Sequence, residues 1–394
     1  MEEWKEYKLG DVCTIVGRIG FRGYTTDDLT NNPKDGAITL SPTNIVAGEL
    51  DLSKPTYIKW PKYYESPEIM LEKDDIVIVK TGSSIGRTTR IREIKHPMTL
   101  NPQFVVLKDI KVDNVFLSYI IKSPLFQASL KAITVGSAIP TLSQKNLAKI
   151  SINIPEEKTQ KRISRVLSSL DDKIEANRKI NENLEQQAQA LFKSWFVDFE
   201  PFQNGEFVKS ELGMIPKGWR VGKLGELCQF KRGKGLLSKN AIPGDVPVVA
   251  GGLEPACYHN ISNTKAPVIT VSGSGANAGF MRMYHQEVWA SDCSFIDITC
   301  ENWLFVYCFL AINSHLLRHA QTGAVQPHVK PADIHDFDLA IPPKENIQRF
   351  QDKISSFITK KGLIEQESRR LAELRDTLLP KLMSGELKVS EIVI

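Results

Sequence analysis

The sequence predicts an α/β (α+β) protein built from two similar globular units, each followed by a long helix. Three observations carry this. A ten-residue segment near the N-terminus recurs in the second half of the chain; β-rich runs ending in glycine turns occupy the same place in both copies; and each copy leads through Ile-Pro into a heptad stripe.

Length and composition set the frame. At 394 residues the chain can hold two or three domains, and its 42% apolar and 24% charged content is ordinary globular usage. The longest apolar runs, such as Trp303 to Ile312, fall short of the roughly 20 residues a bilayer-spanning helix needs, so no membrane partner is expected. Glu2, Glu3, Lys5, Glu6 and Lys8 leave no apolar secretory core at the N-terminus, which predicts a cytoplasmic address. The six cysteines (13, 228, 257, 293, 300 and 308) include no Cys-x-x-Cys pair, which suits reduced thiols and argues against structural metal. His315 and His319, one helical turn apart, read as two polar residues on a helix surface. A net charge of +4 permits nucleic acid as a partner without requiring it.

The repeat fixes the layout. Trp4-Lys-Glu-Tyr-Lys-Leu-Gly-Asp-Val-Cys13 returns as Trp219-Arg-Val-Gly-Lys-Leu-Gly-Glu-Leu-Cys228, with Trp, Lys, Leu, Gly and Cys matched at an offset of 215. Gly136-Ser-Ala-Ile-Pro140 through Ile154-Pro155 matches Gly323-Ala-Val-Gln-Pro327 through Ile341-Pro342 at an offset of 187, so the first copy is 28 residues longer between these landmarks. Inside each copy a β-rich run ends in glycines that permit a tight turn: Asp75 to Lys80 enters Thr81-Gly-Ser-Ser-Ile-Gly-Arg87, and Ala266 to Val271 enters Ser272-Gly-Ser-Gly-Ala-Asn-Ala-Gly279. Helical patterns follow around Asn114 to Ala132 and Glu301 to His319.

The exits are helical. Pro155 and Pro342 suit a helix start, and Glu156, Glu157 and Glu345 complement its positive end. In the first copy Ile163, Leu167, Leu170, Ile174, Asn177, Asn181, Leu184, Ala188, Leu191 and Trp195 alternate in steps of four and three, an a/d seam on a helix about 60 Å long. The second copy places Phe350, Ile354, Phe357, Lys361, Ile364, Ser368, Leu371, Arg375, Leu378 and Leu382 in the same phase, with Pro380 expected to end it. One such stripe alone reads as an amphipathic core helix; two in identical phase read as helices that pair with each other. Asn177 and Asn181 read either as register-fixing polar positions or as imperfections of the seam.

Enzymatic motifs give no coherent site. There is no Gly-x4-Gly-Lys-Ser/Thr loop, no His-Glu-x-x-His and no Asn/Asp-Pro-Pro-Tyr/Phe tetrapeptide. Gly273-Ser-Gly-Ala-Asn-Ala-Gly279 after a strand is the nearest lure. It supports an alternative reading, a nucleotide- or S-adenosylmethionine-dependent enzyme, although it has one residue too many for Gly-x-Gly-x-x-Gly.

The loops offer cations beside small polar donors. Lys80, Ser83, Ser84, Arg87, Thr88 and Arg90 surround one turn, and Ser272, Ser274, Asn277 and Arg282 the other. Arg18 and Arg22, or Lys231, Arg232 and Lys234, lie near the start of each copy, and a third pair of loops holds Ser137 and Thr141, or Gln326, His328 and Lys330. Arg and Lys can address phosphates or guanine, Asn can read adenine and Ser or Thr can do either, so these residues are the candidate DNA-binding set. Any one of them alone reads as a solvated loop charge; the cluster is the signal.

Glu211-Leu-Gly-Met-Ile-Pro-Lys-Gly-Trp219 with Lys223-Leu-Gly-Glu-Leu227, the Gly323-x-x-Gln-Pro327 turn, the Ile-Pro exits and the two long helices resemble the DNA-specificity (S) subunit of type I restriction-modification systems. The resemblance covers essentially the whole chain. It implies two target-recognition domains separated by an antiparallel coiled coil, each domain reading one half of a bipartite, asymmetric double-stranded DNA site. It also implies two methyltransferase (modification) subunits as partners, with restriction/translocase subunits joining them, and no catalysis on this chain. S-adenosylmethionine would then sit on the methyltransferase partner, and ATP and Mg on the restriction partner. The corresponding boundaries are 1–155 and 219–342 for the two domains, 156–197 and 343–383 for the helices, 198–218 for a connector and 384–394 for a C-terminal segment. In this scheme the helices act as a ruler for half-sites about 34 Å apart.

Two features depart from the family pattern. Trp4 lacks the Glu-Leu-Gly-x-Ile-Pro lead that precedes Trp219, which is harmless if the C-terminal segment packs near Trp4. Lys361 and Arg375 interrupt the second seam and leave its register open.

Overall fold

The computed structural model describes residues 4–46, 48–133, 141–322 and 327–392. The chain forms two compact units, one of Met1–Ile174 with Arg370–Ile394 and the other of Glu175–Arg369. Each mixes helix and sheet, as the sequence predicts.

In the first unit an antiparallel sheet orders its strands Thr14–Val16, Phe104–Lys108, Ile76–Val79, Thr88–Arg90. Ile76-Val-Ile-Val79 is β-branched throughout and fully buried, so it reads as a continuous apolar run and not as an alternating one. A second sheet orders Met98–Leu100, Gly36–Leu40, Tyr57–Lys59 and Leu29–Thr30. Helices Asn114–Lys122 and Pro124–Ala132 cover the first sheet with Phe116, Leu117, Ile121 and Phe126.

The second unit repeats the plan. Its main sheet orders Lys231–Arg232, Cys293–Asp297, Val268–Ser272 and Met281–Tyr284, and helices Trp303–Ile312 and Ser314–His319 cover it. Segment 198–218 carries a Phe207–Ser210/Gly213–Pro216 hairpin, and Phe199 and Phe202 pack edge-on against Trp219.

The long helices span Glu157–Phe196 and Lys344–Ser384, and segments of both lie side by side inside each unit. In the first unit Ile163, Val166 and Leu167 share a core with Leu379, Leu382 and Met383. In the second, Ala188 and Phe192 share one with Phe350 and Ile354. Partner numbers fall on one helix as they rise on the other, so the pairing is antiparallel.

Three expectations need correction. Each covering helix was expected as one segment, yet the first breaks at Ser123, whose hydroxyl caps a new helix starting on Pro124. Proline has no N–H to donate at that position, so a restart there loses nothing. The second breaks at Asn313, which bonds back to Phe309 O. Pro380 does not end the second long helix, which runs to Ser384; burial of Leu382 and Met383 in the first core outweighs the one missing hydrogen bond. Finally, Cys228 and Cys300 form a disulfide across 72 residues while Cys13, Cys257, Cys293 and Cys308 are free. The absence of Cys-x-x-Cys spacing is blind to such a long-range pair.

The C-terminal segment packs near Trp4 in the first unit. Trp4, Val389, Leu387 and Ile392 join one cluster, and Gly385 lies against the Trp4 indole.

Candidate nucleic-acid interface

Both glycine turns are built alike, and the strand registers show it residue by residue. In the first unit Gly86 N–H donates to Val79 O at 2.9 Å, Lys80 N–H to Gln103 O at 2.7 Å and Leu142 N–H to Lys80 O at 2.8 Å, while Thr81 bridges to Thr141. In the second, Gly279 N–H donates to Ser272 O at 2.9 Å, Gly273 N–H to Asp292 O at 3.0 Å and Val329 N–H to Gly273 O at 3.1 Å, while Ser274 bridges to His328. The paired glycines are left-handed in both: Gly82 and Gly86 at φ 87° and 84°, Gly275 and Gly279 at φ 80° and 78°. Side chains rarely adopt that backbone, which is why glycine holds all four positions. The mapping makes Lys80 equivalent to Gly273, Gln103 to Asp292 and Gly17 to Arg232.

That mapping exposes an exchange. In the first unit the cation is Lys80, half-buried, with no hydrogen-bond or ion-pair partner among the described residues; burial holds its ammonium below the usual lysine range. The position matching Arg232 is Gly17, where a side chain would meet Gln144 Nε2 at 2.9 Å and Phe104 O at 3.3 Å. In the second unit the cation is Arg232, and the position matching Lys80 is Gly273, whose missing side chain leaves the space that the Arg232 guanidinium fills. Asp292 ion-pairs with Arg232 through Oδ1 and accepts the Ser274 hydroxyl through Oδ2. Lys80 and Arg232 thus reach the two turns from different strands, and Arg87 adds an exposed cation to the first.

The structure sorts the remaining candidates. Ser83 and Arg87 are exposed on the first turn and Ser84 is half-buried there. Lys231, Lys234 and Lys330 are exposed; Asn277 and His328 are half-buried on the second turn, with Asn277 Nδ2 at 3.4 Å from Gly251 O. Thr141 is exposed at its bridge. Ser137 and Gln326 lie outside the described residues.

Five candidates serve the fold instead, and a sixth is tethered. Arg18 is buried and donates to Leu100 O at 3.1 Å, Ser66 Oγ at 3.2 Å and Arg22 O at 3.2 Å. Arg22 pairs with Glu68 at 3.2 Å. Thr88 is buried with its hydroxyl on Val77 O at 2.8 Å, and Arg90 pairs with Asp74 at the far end of that strand pair, away from the turn. Ser272 is buried with its hydroxyl on Gly251 O at 3.2 Å. Arg282 donates to Leu253 O at 2.9 Å and lies over Tyr284, its centroid 5.0 Å away. Proximity in sequence to a turn does not give the direction of a strand side chain, which alternates by face. Sequence reasoning missed Gln103 and Asp292, which carry no motif and reach the turns only through strand pairing.

The alternative nucleotide site fails on geometry. A dinucleotide fingerprint opens a helix after a parallel strand. Here the Gly273–Gly279 stretch closes a hairpin between two antiparallel strands, and Arg232 occupies its vacant space.

Known proteins agree with the recognition reading. The type I restriction modification DNA specificity domain matches residues 1–186 and 216–375. The chain belongs to the type I restriction-modification specificity subunits. It is 32% identical over 329 residues to the type I restriction enzyme MjaIX specificity subunit of Methanocaldococcus jannaschii, covering 76% of this chain and 75% of that one. It is 24% identical over 478 residues to the HindI specificity subunit of Haemophilus influenzae, covering 98% and 100%. The crystal structure of the type I S subunit from M. genitalium shares the fold, with a TM-score of 0.59 at 17% identity over 97% of this chain and 96% of that one. As a specificity subunit it is the recognition component of its system and not the catalyst. No helix among its described residues is long and apolar enough to cross a membrane.

In this specificity subunit the helix seam is mixed. Ile163, Leu167, Leu184, Phe350 and Ile354 are buried; Leu170, Ile174, Leu191, Phe357, Ile364, Leu371 and Leu378 are half-buried. Asn177 is buried and its Nδ2 donates to Glu367 Oε2 at 2.8 Å and Ser368 Oγ at 3.2 Å, while Asn181 Nδ2 reaches Lys361 O at 3.4 Å. Lys361 pairs with Glu185 at 2.7 Å and Arg375 with Asp171 at 2.7 Å, so the cations that interrupt the second stripe answer carboxylates on the first helix.

Proposed function

We propose that this specificity subunit reads a bipartite, asymmetric double-stranded DNA target, each unit addressing one half with its glycine turn. The observation that carries the reading is the turn built twice on one register with different side chains. Lys80, Ser83, Ser84 and Arg87 dress one copy, and Arg232, Ser274, Asn277 and His328 the other. Identical backbones explain the shared docking; unlike donors explain two different half-sites.

The paired helices are the docking element for two methyltransferase subunits, with restriction/translocase subunits joining that core in the cytoplasm. No cofactor belongs to this chain in the reading: S-adenosylmethionine sits on the methyltransferase partner, and ATP and Mg on the restriction partner. The test is co-expression with the cognate methyltransferase subunits and base-resolution mapping of modified adenines. A two-part motif with unlike halves is expected. A single contiguous motif, or no modified adenine in a complex that assembles, would overturn the reading.

A further inference from the structure

We infer that Arg232, held in place by Asp292, reads a guanine in the half-site addressed by the second unit, and that Lys80 occupies the corresponding place in the first. The inference rests on the DNA-reading function proposed above and goes on to name one base and the side chain that selects it.

Four observations converge. Arg232 is pinned on one side only: a guanidinium nitrogen pairs with Asp292, while Nε and the other terminal nitrogen have no hydrogen-bond partner among the described residues. The side chain lies over Gly273, at the base of the turn, in space that any larger residue there would take. Asp292 also accepts from Ser274, so the carboxylate is itself fixed from two directions. Finally, the equivalent place in the other unit has a glutamine, Gln103, in place of Asp292, and its cation has no ion-pair partner among the described residues.

The pairing decides between phosphate and base. An arginine neutralised by a carboxylate loses most of its long-range pull on phosphate, whereas its planar fork keeps directed donors that match guanine O6 and N7. Anchoring also removes side-chain freedom before DNA arrives, which favours a directional contact. Lys80 has no such anchor and presents a point charge. Asp292 is accordingly a positioning residue, acting through Arg232.

The experiment uses the chain in complex with its methyltransferase subunits, with modified adenines mapped genome-wide for wild type, Arg232→Ala, Arg232→Lys and Asp292→Asn, and binding to a wild-type site titrated against salt. Arg232→Ala and Arg232→Lys are expected to turn one fixed guanine of one half-site degenerate, with about 10- to 100-fold loss of discrimination there and the other half unchanged. Asp292→Asn is expected to weaken the same discrimination while steepening the salt dependence, because the arginine charge is released; a merely structural loss would leave that slope alone. If Arg232→Ala does not assemble, Arg232→Lys carries the readout. An unaltered motif in Arg232→Lys, or a uniform loss at all sites with every base still fixed, overturns the guanine assignment and leaves the proposed function standing. Absence of any motif in the wild-type complex would instead refute the function.

Discussion

Arg375 on the second long helix donates to Asp171 on the first at 2.7 Å, and the same carboxylate accepts the Tyr119 hydroxyl at 2.5 Å. The second unit has a matching triad, in which Glu185 accepts from Lys361 at 2.7 Å and from Tyr307 at 2.7 Å. In both, the carboxylate sits on the first long helix, the cation on the second, and the hydroxyl on the helix that covers the sheet. Each triad therefore fixes the helix pair to the body of its own unit.

Removing Asp171 should leave the Arg375 charge half-buried and the Tyr119 hydroxyl without its acceptor. Breaking a pair of this kind costs about 3 kcal/mol, whereas replacing both partners with apolar groups is close to neutral. Asp171→Ala is expected to lower stability by about that amount, and the double variant Asp171→Leu/Arg375→Leu to recover most of it. Chemical denaturation of the complex checks both; equal losses in the single and double variants would contradict the ion-pair account.

His285 makes the second unit sensitive to acid. Burial, with Lys361 and Arg369 nearby and Glu185 opposing them, takes its pKa from 6.5 down to about 4. The unfolded chain then binds the proton first, so stability is present above pH 6.5 and is lost as pH falls towards 4. Glu365, 4.0 Å from the ring and held above the usual carboxylate range by burial, works in the opposite direction. The difference between wild type and His285→Gln isolates the histidine: melting temperatures of the two should converge as pH drops from 7 to 5, and parallel curves would count against it.

The turn residues and the fold-serving arginines should separate cleanly. Lys80→Ala and Arg87→Ala are expected to weaken DNA binding without loss of stability, each reducing the salt slope by about 0.9 for every phosphate it no longer neutralises. Arg18→Ala and Arg90→Ala should instead lower the unfolding midpoint, because Arg18 ties Leu100 and Ser66 to its own loop and Arg90 neutralises Asp74. Electrophoretic or fluorescence titration against salt, run beside thermal unfolding, gives both axes. A steep salt-dependent defect in a fully stable Arg90→Ala would reverse the assignment.

Gly385 has φ 74° and lies against Trp4, where a methyl group would come 2.9 Å from the indole nitrogen. Gly385→Ala should cost about 1–2 kcal/mol from the left-handed backbone alone, and Gly385→Val more. Trp4 fluorescence should shift to the red in step with that loss; an unshifted spectrum with unchanged stability would refute the packing.

Much of this was legible because duplication writes its signature twice. The Trp-Lys-Leu-Gly-Cys repeat and the in-phase stripes foretell two units and two helices, since periodicity survives in one dimension. The turns were found from their glycines. What stayed hidden depends on partners distant in sequence: Asp292 beside Arg232, Asp171 beside Arg375, Cys228 beside Cys300. Arg18 and Arg90 look like free cations in a string of letters, and only strand alternation and the fold turn them inward. Lys361 and Arg375 looked like flaws for the same reason, their answering carboxylates lying on the other helix.

The reciprocal placement of Lys80 with Gly17, and of Arg232 with Gly273, constrains how such a protein can acquire a new taste. Converting one arrangement into the other one codon at a time passes through a form in which both exchanged positions hold a cation, and crowd, or neither does. Wholesale exchange of a unit by recombination avoids that dead intermediate, and an engineer retargeting the chain would do better to transplant the entire module than to edit its turn.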